Sequence, residues 1–219
     1  MKKVWFLLLA MVWGAGAQAQ IVSSRSVSVR ATPSHPTEIQ WFLRGGLNVM
    51  GFAGDGAENL DKKLGYSLMY GFQRPVGSIG TYWGMAFGLG SRGYKFEVDG
   101  MEMNVMAHAV EVSPFTFGWK YGLTEAVKVD VHLGVFARAD YTGKAKLKNK
   151  KQEKSVGMGD WEEELDVDWN RFDVGLNAGF GVWYDRFNLD FTYQRGFVEA
   201  AKDSELYTSN LLIRLGVAF

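Results

Sequence analysis

The carboxy-terminal stretch SNLLIRLGVAF (residues 209–219) alternates from one end to the other. Leu211, Ile213, Leu215, Val217 and Phe219 fall on one side, and Asn210, Leu212, Arg214, Gly216 and Ala218 on the other. A period of two marks a β-strand whose successive side chains point to opposite faces. A half-buried strand in water hides its apolar row and shows its polar one. Here the greasy row is unbroken, while the other face holds an arginine mid-strand among mostly small or polar neighbours. Hydrocarbon on one side and a sealed interior around Arg214 on the other satisfies both rows.

Seven earlier segments repeat the pattern. In 38–50, Ile39, Trp41, Leu43, Leu47 and Val49 oppose Arg44 and Asn48; in 64–73, Leu64, Tyr66, Leu68, Tyr70 and Phe72 oppose glycines, Ser67, Met69 and Gln73. In 81–92, Trp83, Met85, Phe87 and Leu89 face away from Gly84, Ala86, Gly88 and Gly90. Segment 105–117 sets Val110 and Val112 against Glu111, with Pro114 marking a bulge. Segment 126–138 runs Val127, Val129, Val131, Leu133 and Val135 against Lys128, Asp130, His132 and Arg138. Segments 172–180 and 186–194 place Asp173 and Asp190 opposite rows of Phe, Val, Leu and Tyr.

Eight such segments, near the ~10 residues of a tilted membrane strand, predict an all-β, eight-stranded antiparallel up-and-down transmembrane barrel over 38–219. Connections near 74–80, 118–124 and 181–185 are short, and those at 51–63, 93–104, 140–168 and 196–206 are longer and polar. Short turns on the periplasmic side and long loops outside are the usual arrangement, with both termini periplasmic. In lipid every backbone group must be paired, so the sheet must close. An Arg or Lys on the lipid face costs about 2–4 kcal/mol at mid-depth, and the apolar rows are almost free of charge. A soluble eight-stranded barrel would carry the reverse pattern, with an apolar interior and a charged exterior.

The amino-terminus agrees with export. MKKVWFLLLAMVWGAGAQAQ has Lys2 and Lys3, an apolar run from Val4 to Trp13, and a small-residue cleavage pattern at Ala17-Gln18-Ala19. This predicts a signal peptide over 1–19, too short for a spanning helix. Residues 20–37, with Pro33 and Pro36, read as a flexible periplasmic segment. No cysteine follows the apolar run, so no lipid-anchored amino-terminus is expected, and there is no thiolate metal site or cysteine nucleophile anywhere. Removing Lys2 and Lys3 leaves 22 basic residues against 24 acidic ones, a net charge of about −2 that offers nothing to nucleic acid. Glycine is abundant at 27, proline scarce at 4 and aromatics make up 15%, as expected of closely packed strands and not of a helix-rich enzyme.

An eight-stranded barrel is narrow enough for side chains to fill it. The charges assigned to this lumen are Arg44, Glu111, Asp130, His132, Arg138, Asp173, Asp190 and Arg214. Arg44, Glu111, His132, Asp190 and Arg214 count to a similar mid-depth, with Arg214 beside Asp190 and Arg44, and Glu111 opposite His132. Such a nearly neutral layer is what burial demands, and a structural role is expected of it. No serine partners His132, and no cluster has metal-ligand spacing. No catalytic residue, metal or cofactor is therefore assigned. His108 and His35 read as loop or strand-end residues.

Between strands five and six, Lys144, Lys146, Lys148 and Lys150 share one parity, as do Glu162, Glu164, Asp166 and Asp168. With a turn around 155–159, the basic arm would pair with the acidic arm in a long extracellular hairpin, each facing pair contributing roughly 0.2–1 kcal/mol. A parity change between Trp169 and Phe172 predicts a bulge near Arg171.

The stretches GLGSRGYKFEV (88–98), AVEVSPFTFGWKYG (109–122) and FDVGLNAGFGVWYDRFNLDFTYQRGF (172–197) resemble the PorT-like outer-membrane β-barrel proteins of Bacteroidota. With the final strand, the likeness covers most of 38–219. The resemblance implies a barrel without a catalytic motif, and a link to type IX secretion through the family's name-giving member. The terminal row Leu215, Val217 and Phe219 resembles the signal read by the barrel-assembly machinery. The expected partners are membrane lipids, that machinery, secretion-apparatus proteins and extracellular ligands reached through the loops. The expected role is structural, in assembly or in surface contact. The competing readings are a lipid-modifying outer-membrane enzyme, which needs a Ser/His/acid group near the rim, and a narrow channel.

Overall fold

The computed structural model describes residues 38–219 apart from Gly56, Asp99, Gly100, Lys150, Lys151, Asp166 and Asp203. The signal peptide at 1–19 and the segment 20–37, with His35, lie outside the described residues.

Eight long strands form the wall: β1 Gln40–Met50, β2 Lys63–Val76, β3 Thr81–Val98, β4 Met101–Gly122, β5 Val127–Asn149, β6 Phe172–Tyr184, β7 Phe187–Glu199 and β8 Tyr207–Ala218. Each pairs antiparallel with the next, and β8 pairs back onto β1 from Phe42↔Ala218 to Val49↔Leu211. The sheet has no free edge, as a wall in hydrocarbon requires. Short pieces at Phe52–Ala53, Leu60–Asp61 and Gln152–Gly157 add to β8, β3 and β5.

The faces fall as the alternation dictates. Leu215 is 70% exposed on the outer surface, while its neighbour Arg214 is 6% exposed and points inward. Leu47, Phe87, Leu133 and Phe180 are exposed likewise, and Asn48, Asp130, Asn177 and Asp190 are buried. The glycines serve this narrow interior. A Cβ at Gly118 would lie 2.3 Å from the Tyr82 ring, and one at Gly46 2.1 Å from the Ile213 carbonyl oxygen.

The short turns, including one with Gly77 and Gly80 at positive φ, lie at the end of the wall where Trp41 N donates to Phe219 O. Pro114 marks a register shift between Val112 and Phe115, as its sequence position implies. His108, expected near a strand end, lies well inside β4, where its Nδ1 is 3.1 Å from the Tyr66 hydroxyl.

The long-loop end differs from expectation. Stretches inside the expected connections, 93–98, 101–104 and 140–149, are strand, because β3, β4 and β5 run far past the neighbouring staves. The hairpin also pairs differently. Lys144, Lys146 and Lys148 face Gly157, Ser155 and Glu153, so the partner arm is Gln152–Gly157 and not the acidic stretch. That stretch instead forms helix α1, Trp161–Leu165, where Glu164 pairs with Lys154 at 2.5 Å. Burial of Trp161 and Met158 explains the fold-back, since a straight acidic arm would leave both in water. Trp169 also turns inward, and Asn170, Arg171 and Phe172 are all exposed, so the alternation is interrupted near Arg171 with Trp169 on the lumen side.

One extra residue governs this region. His108 faces Thr142 but Ala109 faces Asp140, so Tyr141 bulges out of β5. Before it, inward positions are even: Asp130, His132, Arg138 and Asp140. After it they are odd, and Ala145 is buried while Lys144 and Lys146 face outward. The interior turns from polar to apolar across that single residue.

Candidate functional site: the sealed lumen and its cap

From the short-turn end inward, the lumen is a stack of polar layers. Lys120 Nζ donates to Gln40 Oε1 at 3.1 Å and Gln73 Oε1 at 2.9 Å, and lies 3.9 Å from the Trp183 ring centroid. The sequence pattern had ended this strand at residue 117, although Lys120 between Trp119 and Tyr121 carries the same alternation.

The next layer centres on Asp190. Arg214 reaches its Oδ1 at 2.5 Å, Arg44 its Oδ2 at 3.2 Å, and His132 Nε2 lies 3.6 Å from Oδ2. Thr192 donates its hydroxyl to Asp190 Oδ1 at 2.9 Å, and His132 Nδ1 is 3.0 Å from Asp130 Oδ1. Trp183 Nε1 donates to Asp130 Oδ2 at 2.5 Å. Arg44, Asp130, His132, Asp190 and Arg214 thus come together. Glu111 does not join them. It sits one layer on, where Arg138 donates to its Oε2 at 2.8 Å and Gln194 to its Oε1 at 2.7 Å. Its cross-strand partner is Arg138, and His132 faces Gly118, because β4 runs on to Gly122 and the hairpin turns later than a strand ending at 117 implies.

Asp173 belongs to a third group. Arg92 donates to Asp140 Oδ2 through Nε at 3.1 Å and Nη2 at 2.5 Å, and to the Asn170 carbonyl at 2.5 Å, with Asp173 3.9 Å away. Trp169 Nε1 donates to the same Asp140 oxygen at 2.8 Å and presents its ring 4.6 Å from the Arg92 guanidinium carbon. Arg92 and Asp140 are not among the charges that the alternation assigns to the lumen, because the pattern places Asp140 in a loop.

Above this collar, Val105, Ala107, Ala145, Val156, Met158, Trp161, Trp169 and Ala200 form an apolar core, with Phe52 and Tyr94 packed against it. Burial there pushes the Tyr94 hydroxyl pKa up. The cap closes the lumen at the long-loop end. Inside, the void lined by Arg44, Tyr82, His132 and Asn177 measures about 40 Å3, space for about two or three water molecules. Another of about 30 Å3 lies beside Lys120. Neither admits a substrate-sized molecule. Among the described residues, no group of three or more His, Asp and Glu is placed to hold a metal ion.

A closed up-and-down wall with an apolar exterior and a charged, filled interior defines an integral outer-membrane β-barrel. The chain matches the family of the outer membrane protein beta-barrel domain over residues 18–200, and it belongs to that family. Among solved structures it is similar to Ail, the attachment invasion locus protein of Yersinia pestis in complex with the heparin analogue sucrose octasulfate. That likeness has 18% identity and TM-score 0.41, covering 83% of this chain and 99% of that one. It is also similar to Neisserial surface protein A at 10% identity and TM-score 0.43, covering 82% and 97%. OprG of Pseudomonas aeruginosa gives 10% identity and TM-score 0.44, covering 82% and 95%. No curated protein matches the chain.

Proposed function

We propose that this chain is a non-enzymatic, non-conducting barrel whose cap is a contact surface on the cell exterior. Its short turns and both chain ends would lie in the periplasm. The observation that carries the reading is the stacked seal. Three ion-paired layers and an apolar core succeed one another along the axis, and the voids at the Asp190 layer and beside Lys120 measure about 40 and 30 Å3. Rigid strands carried past the wall make a surface that a purely structural plug would not need. The PorT-like resemblance makes a secretion apparatus the partner to test first, and Leu215, Val217 and Phe219 would be read by the barrel-assembly machinery during insertion.

Crosslinking in native outer membrane followed by pull-down should recover defined partners that depend on the cap. Recovery of the same proteins after deletion of 144–157 would count against the contact role. Reproducible single-channel conductance in planar bilayers would revive the channel reading. Activity on lipid A that vanishes with His132→Ala would revive the enzyme.

A further inference from the structure

β7 loses both neighbours over a short stretch. Its ladder with β6 ends at Gly196↔Gly175, and its ladder with β8 jumps from Arg195↔Ser209 to Glu199↔Tyr207. Beyond this, the β6 side is rejoined where Asn170 N donates to Ala200 O at 2.9 Å and Trp169 bridges Ala201. Phe197 and Val198 therefore form a seam in the wall. On the lumen side the Asp173 carboxylate closes it, accepting from Val198 N at 3.4 Å. Elsewhere the seam borders an open groove of about 610 Å3 edged by Asp168, Trp169, Arg171, Phe197, Glu199 and Lys202.

The position of this groove follows from solvation. Backbone without a ladder partner is not tolerated against hydrocarbon, so the seam marks the level at which β7 leaves the bilayer core. Phe172 and Phe197, 51% and 57% exposed, are the last apolar outward pair on these staves, and Arg171 and Lys202 follow them, both exposed. Among the described residues no ion pair joins Arg171 or Lys202 to an acid. Arginine meets phosphate with paired N–H donors, and lysine meets it as a compact charge.

We infer that the groove seats a phosphorylated lipid of the outer leaflet, a naming of leaflet that rests on the orientation proposed above. Arg171 and Lys202 hold the phosphate, Phe172 and Phe197 line the start of an acyl chain, and Asp168 and Glu199 accept from headgroup hydroxyls. The mixture of two cations and two acids suits a phosphorylated polyol or sugar headgroup better than a polyanion, which both acids would repel. A groove beside the hydrocarbon boundary is also reached most directly by a molecule already in the leaflet.

The test uses the full chain purified in detergent and titrated with monophosphorylated lipid A, with bound lipid counted by native mass spectrometry. Arg171→Ala with Lys202→Ala should lower occupancy at least fivefold. Lys144→Ala with Lys148→Ala, an equal loss of charge on another wall, should change it less than twofold. Equal losses from the two pairs, or none from the first, overturn the site. Millimolar inorganic phosphate should not displace the lipid; displacement would make this a free-anion site and end the lipid assignment. A photo-crosslinker replacing Phe197 gives an answer independent of the alanine variants, since it should capture phosphorylated lipid in native membrane and one replacing Phe187 should not. Orientation is read separately by labelling Lys144→Cys on intact cells, so failure there is distinct from failure of the groove.

Discussion

The wall and the cap solve opposite solvation problems with one strand, β5. In the wall, β5 turns Val131, Leu133 and Val135 outward and holds Asp130, His132 and Arg138 inside. In the cap it turns Lys144, Lys146 and Lys148 outward and buries Ala145. Lipid requires the first arrangement and water the second. A strand cannot exchange its faces without gaining or losing a residue, and Tyr141 is the residue gained. The boundary between two solvents is written into β5 as one bulge.

Removing that residue should break the contrast most severely. Deletion of Tyr141 places Lys144, Lys146 and Lys148 in the apolar core, where each unpaired charge costs several kcal/mol. The cap should fail to form while the wall below still closes. Trypsin would then cut within 144–157 in a barrel that keeps its heat-modifiable migration in gels. A cap that resists trypsin after the deletion would mean that the bulge does not set the faces.

Two further substitutions compare the regions more finely. Asp190→Ala leaves Arg44 and Arg214 buried without their shared carboxylate, and should cost about 3–5 kcal/mol in urea unfolding from detergent. An arginine replacing Leu215 should cost about 2–4 kcal/mol, because it meets hydrocarbon. An arginine replacing exposed Ser155 on the cap should stay within about 0.5 kcal/mol. Equal costs at the two positions would remove the distinction between lipid-facing and water-facing strand.

The wall was legible in the sequence because one period and one choice of solvent decide it. Asp190, Arg214 and Arg44 could be placed together from strand counting alone, since β7, β8 and β1 pair without a shift at their level. Glu111 could not, because β4 runs on through Lys120 to Gly122 before the hairpin turns, and the run 118–122 reads as part of the short connection. The cap was misread for a related reason. Like-parity lysines and acids suggested a charged ladder, but burial of Trp161, Met158 and Trp169 outweighs exposed ion pairs, each worth about 0–1 kcal/mol. The side taken by Trp169 is not legible, because an aromatic next to the wall is ambiguous until the polarity of the enclosed space is known.

The smallest expected effect concerns the edge of that enclosed space. Tyr94 packs between Phe52 and Trp169, with its ring 5.6 Å and 6.5 Å from theirs. Burial favours its neutral hydroxyl, so its pKa in the folded cap lies above the value of about 10 that it has when unfolded. A group raised in this way supports the fold fully below pH ~10, and its support is lost as pH rises through the folded value. Alkaline titration should therefore loosen the cap. Tryptophan emission from the cap should shift at high pH in the parent chain, and Tyr94→Phe should remove that part of the shift with little cost at neutral pH. An identical alkaline shift in the Phe variant would mean that the loosening begins elsewhere, in the charged layers of the lumen.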